Sequence, residues 1–215
     1  MNAPLRILST VAMVTVLAAC SKSGDLVVTE GVGITAIRSV CPPVGVPDYT
    51  GDITTFRGGA TTSAALDVTA TITNVRSTCD DTSEKVYTGA EFDVLARRTD
   101  TRGARRVELP YFATVLRGNS AVVSKRVGTV VIDFADGQER AQGSGKAGAF
   151  VDRAAATLPD DIRREITRRR KAGDDDAALD PLAKPEVRAA LARANFELLV
   201  GFQLNQEQFA YNVTR

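Results

Sequence analysis

Apolar and polar residues alternate with a period of two along most of this chain. The clearest stretch sets Leu66, Val68, Ala70 and Ile72 on one face and Asp67, Thr69, Thr71 and Thr73 on the other, the signature of a strand with one buried side. β-branched composition predicts a first strand at 34–41, and further strands are expected at 86–98 and 106–116, at 121–127 with 129–134 as a strand or bent pair, and around 148–153. Within 86–98, Phe92, Val94 and Ala96 point one way. Residues 45–63 are rich in Gly, Pro and Thr and read as loop, with a short strand at 52–56. Pro42-Pro43 stops the first strand, and Pro110 fits its strand only at an edge or a bulge. Arg102-Gly103 and Asp136-Gly137 are turn signals.

The period then changes to that of a helix. Pro159 lies at a helix start, with Asp160 and Asp161 suited to its positive end. Ile162 and Ile166 share one face, residues 168–171 (Arg-Arg-Arg-Lys) sit at the C-terminal end, and Gly173 terminates the helix. Residues 185–195 form a second, alanine-rich helix with an apolar stripe of Val187, Leu191 and Ala194. Alternation resumes at Phe196, Leu198, Val200, Phe202 and Leu204. A turn near Asn205-Gln206 then leads to Phe209, Tyr211 and Val213, which close a terminal hairpin. The expected fold is mainly β: an antiparallel β-sandwich of immunoglobulin or fibronectin-like type over residues 32–215. A helical insertion at about 159–195 precedes the terminal hairpin. The chain has no Trp, so the Cys…Trp…Cys hallmark of antibody domains is missing, and no solenoid repeat is visible.

The start of the chain follows neither strand period. Arg6 supplies one positive charge, and residues 7–19 are uncharged and mostly apolar. That run is shorter than the roughly 20 residues a helix needs to span a bilayer; a short positive segment and a short apolar core read as a secretory leader. It ends in Leu17-Ala18-Ala19-Cys20, which resembles the lipobox of bacterial lipoproteins. The resemblance implies cleavage before Cys20, a diacylglyceryl thioether on its sulfur, and acylation of the new amino terminus by palmitate-like chains. Residues 20–31 then form a lipidated tether, and several acyl chains together anchor stably in a membrane. Ser21, rather than Asp, after the cysteine resembles the signal for sorting to the outer membrane; the expected location is its periplasmic side, with the inner membrane or the cell surface as alternatives. Residues 41–52, Cys79-Asp80-Asp81, Leu109-Pro110-Tyr111-Phe112 and the tail 196–215 look like uncharacterised lipoproteins of sphingomonad-type bacteria. That resemblance implies location and lipidation and carries no activity.

Composition narrows the chemistry. The 215 residues hold 27 Lys and Arg, 26 Asp and Glu, and no His, which excludes a Ser-His-Asp triad, a Cys-His pair and His-ligated zinc. Removal of residues 1–19 takes one Arg and no acid, leaving 26 charges of each sign. Such a balance gives no electrostatic case for nucleic acid. Cys41 and Cys79 remain, and in an oxidising periplasm an even pair reads as a disulfide. Neither belongs to a Cys-x-x-Cys pair, so redox catalysis has no support.

Apparent enzyme signatures fail on context. Gly31-Val32-Gly33-Ile34-Thr35-Ala36 matches a dinucleotide fingerprint, but Pro42-Pro43 arrives where a helix is required. Gly145-Lys146 lacks the first glycine and the hydroxyl of a phosphate loop. Asp174-Asp175-Asp176 does not fit a calcium loop and reads as a solvated acidic turn. No catalytic residue, metal or cofactor is therefore expected. Carboxylate pairs are the catalytic device left open, and the absence of Trp leaves little for a sugar to stack on.

Two basic clusters stand out. Arg97, Arg98, Arg102, Arg105 and Arg106 crowd one hairpin, while Arg163, Arg164 and residues 168–171 crowd one helix. Such arginines either pair with nearby acids such as Asp100, Glu108 and Glu165 or form an anion-binding face. The leading functional expectation is a membrane-anchored, non-enzymatic structural or protein-binding module of the cell envelope, with another envelope protein as partner. The alternatives are a binder of anionic glycolipid or polymer through the Arg-rich hairpin, and a carboxylate-based hydrolase.

Overall fold

The computed structural model describes Ala36 and residues 38–215; the leader, Cys20 and the tether lie outside the described residues. Among the described residues, eight strands form two four-stranded sheets. They are β1 (Val44–Gly45), β2 (Asp52–Phe56), β3 (Leu66–Asp80), β4 (Lys85–Arg98), β5 (Arg105–Arg117), β6 (Ala121–Phe134), β7 (Arg140–Asp152) and β8 (Phe196–Phe202). One sheet runs β1-β8-β5-β6 and the other β2-β3-β4-β7. Every pairing is antiparallel except the short parallel contact of β1 with β8.

Alternation explains the core. Ala70 and Ile72 of β3, Phe92, Val94 and Ala96 of β4, Val130, Ile132 and Phe134 of β6, and Phe196, Leu198, Val200 and Phe202 of β8 bury into one shared cluster. A bulge adjusts the phase of β3: Asn74 and Val75 together oppose a single residue, Phe92, between the pairs Thr73–Asp93 and Arg76–Glu91. Asn74 takes a positive φ of 51°, which Asn tolerates better than most residues. The extra residue lets Val75 pack against the core after Ile72. Pro110 falls one residue beyond the first β5–β8 pair, Tyr111–Phe202, so its missing donor removes no bond to β8.

The sheets meet closely where β6 passes into β7. A Cβ on Gly143 of β7 would sit 2.6 Å from the Val131 carbonyl oxygen of β6, so glycine is required for this approach.

The helical insertion between β7 and β8 comprises α1 (Arg153–Ala156), α2 (Asp160–Thr167) and α3 (Pro185–Ala194). Ile162 and Ile166 of α2 bury against Val187, Ala190 and Ala194 of α3, with Leu158, in a cluster of their own. Full burial of an isoleucine contributes about 1.5–3 kcal/mol. The basic run 168–171 is not part of α2, because Arg168 already has an extended ψ of 125°. In the following segment, Asp174 Oδ2 accepts from the Lys171 amide at 3.0 Å and Asp176 pairs with Arg170 at 3.3 Å.

Two expected elements are corrected. The described residues of 34–41 form no strand; the first paired residues are Val44 and Gly45, beyond Pro42-Pro43. The terminal hairpin is replaced by a helix, α4 (Gln206–Thr214). The reason is local. Asn205 accepts from the Gln208 amide at 2.8 Å and Gln208 Oε1 accepts from the Asn205 amide at 3.0 Å, a reciprocal cap that favours helix over turn. Buried Asn212 then fixes α4 by donating from Nδ2 to the Tyr49 and Asp52 carbonyls, both at 2.8 Å. The Tyr211 and Phe56 rings meet edge-on at 5.1 Å.

Candidate functional site

The arginine cluster lies where the β4–β5 turn meets the β6–β7 turn. Residues 90, 92, 94 and 96 of β4 face the core, and Arg98 continues that phase. Its side chain is fully enclosed, at 0% exposure. Nε donates to Gln138 O at 2.8 Å, Nη1 to Gly103 O at 2.8 Å, and Nη2 to Thr101 O at 2.8 Å and Ala135 O at 2.7 Å. The guanidinium also lies 5.1 Å from the Phe134 ring centroid. Gly103 and Gly137 hold positive φ of 72° and 75°, which turns these carbonyls through tight bends. The turns are further joined by Gly137 N donating to Thr101 O at 2.8 Å and Gly103 N to Asp136 Oδ1 at 2.6 Å.

The other four cations are engaged by acids. Arg97 pairs with Glu139 at 2.5 Å, Arg102 with Asp100 at 2.8 Å and Arg106 with Asp133 at 3.6 Å. Arg105 grips both oxygens of Asp67 at 2.7 Å each. The bond from Arg102 holds the Asp100 carboxyl well below the ordinary carboxylate range, and the bond from Arg105 lowers that of Asp67, against the opposing effect of burial. The hairpin end is thus a nearly neutral network, with Arg98 removed from any surface.

Asp67 is 8% exposed, so its pair carries weight. A carboxyl whose folded pKa is depressed adds stability above its unfolded pKa of about 3.9, and that stability is lost as pH falls through the folded value. Asp67→Asn should therefore cost about 1–3 kcal/mol at neutral pH. The gap between variant and parent should narrow in urea titrations below about pH 4; a pH-independent gap would refute the assignment.

A concavity of about 610 Å³ lies on the outer face of the second sheet, lined by Thr69, Thr71, Leu95, Arg97, Arg140 and Gln142 among others. The register stacks Thr69–Arg97–Arg140 and Thr71–Leu95–Gln142 as adjacent rungs. It offers guanidiniums, hydroxyls and amides, and its lining includes no carboxylate. Cys41 and Cys79 form a disulfide, with Cα atoms 6.1 Å apart. Among the described residues, no group of three potential metal ligands occurs, and no helix is long and apolar enough to cross a membrane.

The first half of β6 turns neither face to the core. Residues 121–127 are all exposed, including Val122 at 64%, Val123 at 55% and Val127 at 60%. β6 is the last strand of its sheet. Lys125 and Arg126 make no ion pair or side-chain hydrogen bond among the described residues; Lys125 lies 5.5 Å from the Phe112 centroid.

No protein-family model, curated protein or solved structure matches this chain.

The arginines expected to form one anion-binding face are brought together, but as donors to carbonyls and carboxylates. The fate of Arg98 had a signal in the sequence: it stands two residues after Ala96, in phase with the buried set. The β6 edge gave a weaker one, because its Val-Val-Ser-Lys-Arg-Val run breaks strict alternation.

Proposed function

We propose that the chain is a lipid-anchored protein of the bacterial envelope whose β domain binds another protein and performs no chemistry. The observation that carries the binding reading is the exposed first half of β6, apolar along seven residues except for Ser124, Lys125 and Arg126. Edge strands left open in this way pair readily with other chains. Leu17-Ala18-Ala19-Cys20 supports the anchor, and the Cys41–Cys79 bridge supports an oxidising compartment such as the periplasm. The Ser21 that follows Cys20 supports the outer membrane as the place of the anchor. Two sheets around one core, with a helical insertion before β8, support a sandwich of immunoglobulin or fibronectin-like type. The Arg-rich hairpin end supports glycolipid or polymer binding less well, since its cations already have partners.

One set of cell experiments tests both halves. Labelled palmitate should enter the parent chain and not Cys20→Ala, which should accumulate uncleaved. Photo-crosslinkers at exposed positions on several faces should capture one specific envelope protein. Label in Cys20→Ala would overturn the anchor; capture of nothing from any face would overturn the binding module.

A further inference from the structure

We infer that the free edge of β6, residues 121–127, is a docking site for an extended acidic segment of another protein, which adds as a further strand beyond β6. This rests on the reading of the chain as a protein-binding module and names the chemistry of its partner.

The other sheet edges are short, covered or, at 76–80 of β3, tied to the preceding segment through the Cys41–Cys79 bridge. β1 has only two residues, and β2 is packed by α4 through Asn212 and Tyr211. The second half of β6 is approached by β7 at Gly143, and the Lys146 carbonyl of β7 already accepts from the Tyr111 hydroxyl at 2.5 Å. The first half of β6 pairs with β5 alone. Val123 is an extra residue between the pairs Val122–Leu116 and Ser124–Val115; beyond this bulge, at 124–127, alternate residues present backbone N–H and C=O groups on the other side, a donor and acceptor ladder that an added strand completes. Val122, Val123 and Val127 supply apolar surface for its side chains.

Charge selects the occupant. Lys125 and Arg126 are consecutive, so each face of the strand carries one cation, and neither has a carboxylate partner among the described residues. A second copy pairing antiparallel about this region would bring two lysines and two arginines onto facing rungs, about 4.5–5.5 Å apart between Cβ atoms, where like charges repel. An added strand with Asp or Glu at those rungs would instead neutralise both cations. The same two residues thus discourage self-association and favour an acidic partner.

The probe is a synthetic strand-length peptide of Val and Thr with two consecutive acids, Asp-Glu, at its centre, one for each face of the strand, set against the same peptide with Lys at both acidic positions. Binding is read by fluorescence anisotropy on the processed chain with its disulfide intact, and location by amide hydrogen exchange. The acidic peptide should bind, weaken as salt is raised, and protect amides within 121–127. Lys125→Glu with Arg126→Glu should lower its affinity at least about tenfold and make the basic peptide the better ligand. Equal binding of both peptides, no binding, protection elsewhere, or a β6–β6 dimer that excludes the peptide would each overturn the inference. Crosslinking in cells separates this from the parent reading. Capture from Leu95 or Phe150 with silence at 121–127 defeats the edge alone, whereas silence at every position defeats both.

Discussion

Arg98→Ala is expected to lose about 4 kcal/mol of folding stability, the range seen when a buried, hydrogen-bonded charge is deleted. The side chain supplies four bonds to carbonyls at Gln138, Gly103, Thr101 and Ala135. Removing it leaves those oxygens unpaired beside a void, where each unmet acceptor costs about 1–3 kcal/mol before water enters. Lysine is no substitute: its ammonium has three donors at one point and no planar fork, so Arg98→Lys should recover less than half of the loss. The neighbouring Arg97→Ala is the control. Its pair with Glu139 is exposed on both sides, and such a pair contributes less than about 1 kcal/mol. Urea midpoints of the three variants provide the measurement. Similar losses at positions 97 and 98 would show that Arg98 does not hold the two turns together.

Reduction of the disulfide, or Cys41→Ser with Cys79→Ser, should have an effect of similar size for a different reason. The two cysteines are separated by 38 positions, and in the chain-entropy model closing such a loop stabilises by about 4 kcal/mol through the unfolded state. For a domain of this size that is a fall in Tm of roughly 8–16 °C. The released chain is also less compact when unfolded, so the dependence of stability on urea should steepen as the midpoint falls. Arg98→Ala changes the folded state and should leave that slope nearly unaltered. An unchanged Tm on reduction would mean that native contacts, not the crosslink, fix residues 41 and 79.

Much of the fold was legible in the sequence because the strands are long and one face of each is buried. Leu66 to Ile72, Phe92 to Ala96 and Phe196 to Phe202 alternate and pack as that alternation requires. The expectation failed where a local bond outweighed the pattern. Phe209, Tyr211 and Val213 alternate like a strand, yet the Asn205–Gln208 cap starts a helix in which Asn212 becomes the buried residue. The described residues of 34–41 pair with no strand despite the β-branched composition, and the first paired residue among those described is Val44. The Cys41–Cys79 bridge was legible from parity alone, whereas the arginines needed three dimensions. Their crowding was visible, but which were enclosed and which were paired depends on turns and acids far apart in the chain, such as Asp67 with Arg105. The β6 edge was least visible, because openness is a property of what the other strands do not cover.

The position of the disulfide also determines how the domain would bear a load. A pull from the amino-terminal side would reach Cys41 before it reached the two residues of β1, which on their own would peel easily from β8. The covalent bridge diverts that force into Cys79, near the end of β3, where the strand is paired with Thr88 of the fourteen-residue β4. Tension is thus passed to the long β3–β4 ladder, and the two-residue β1 is spared.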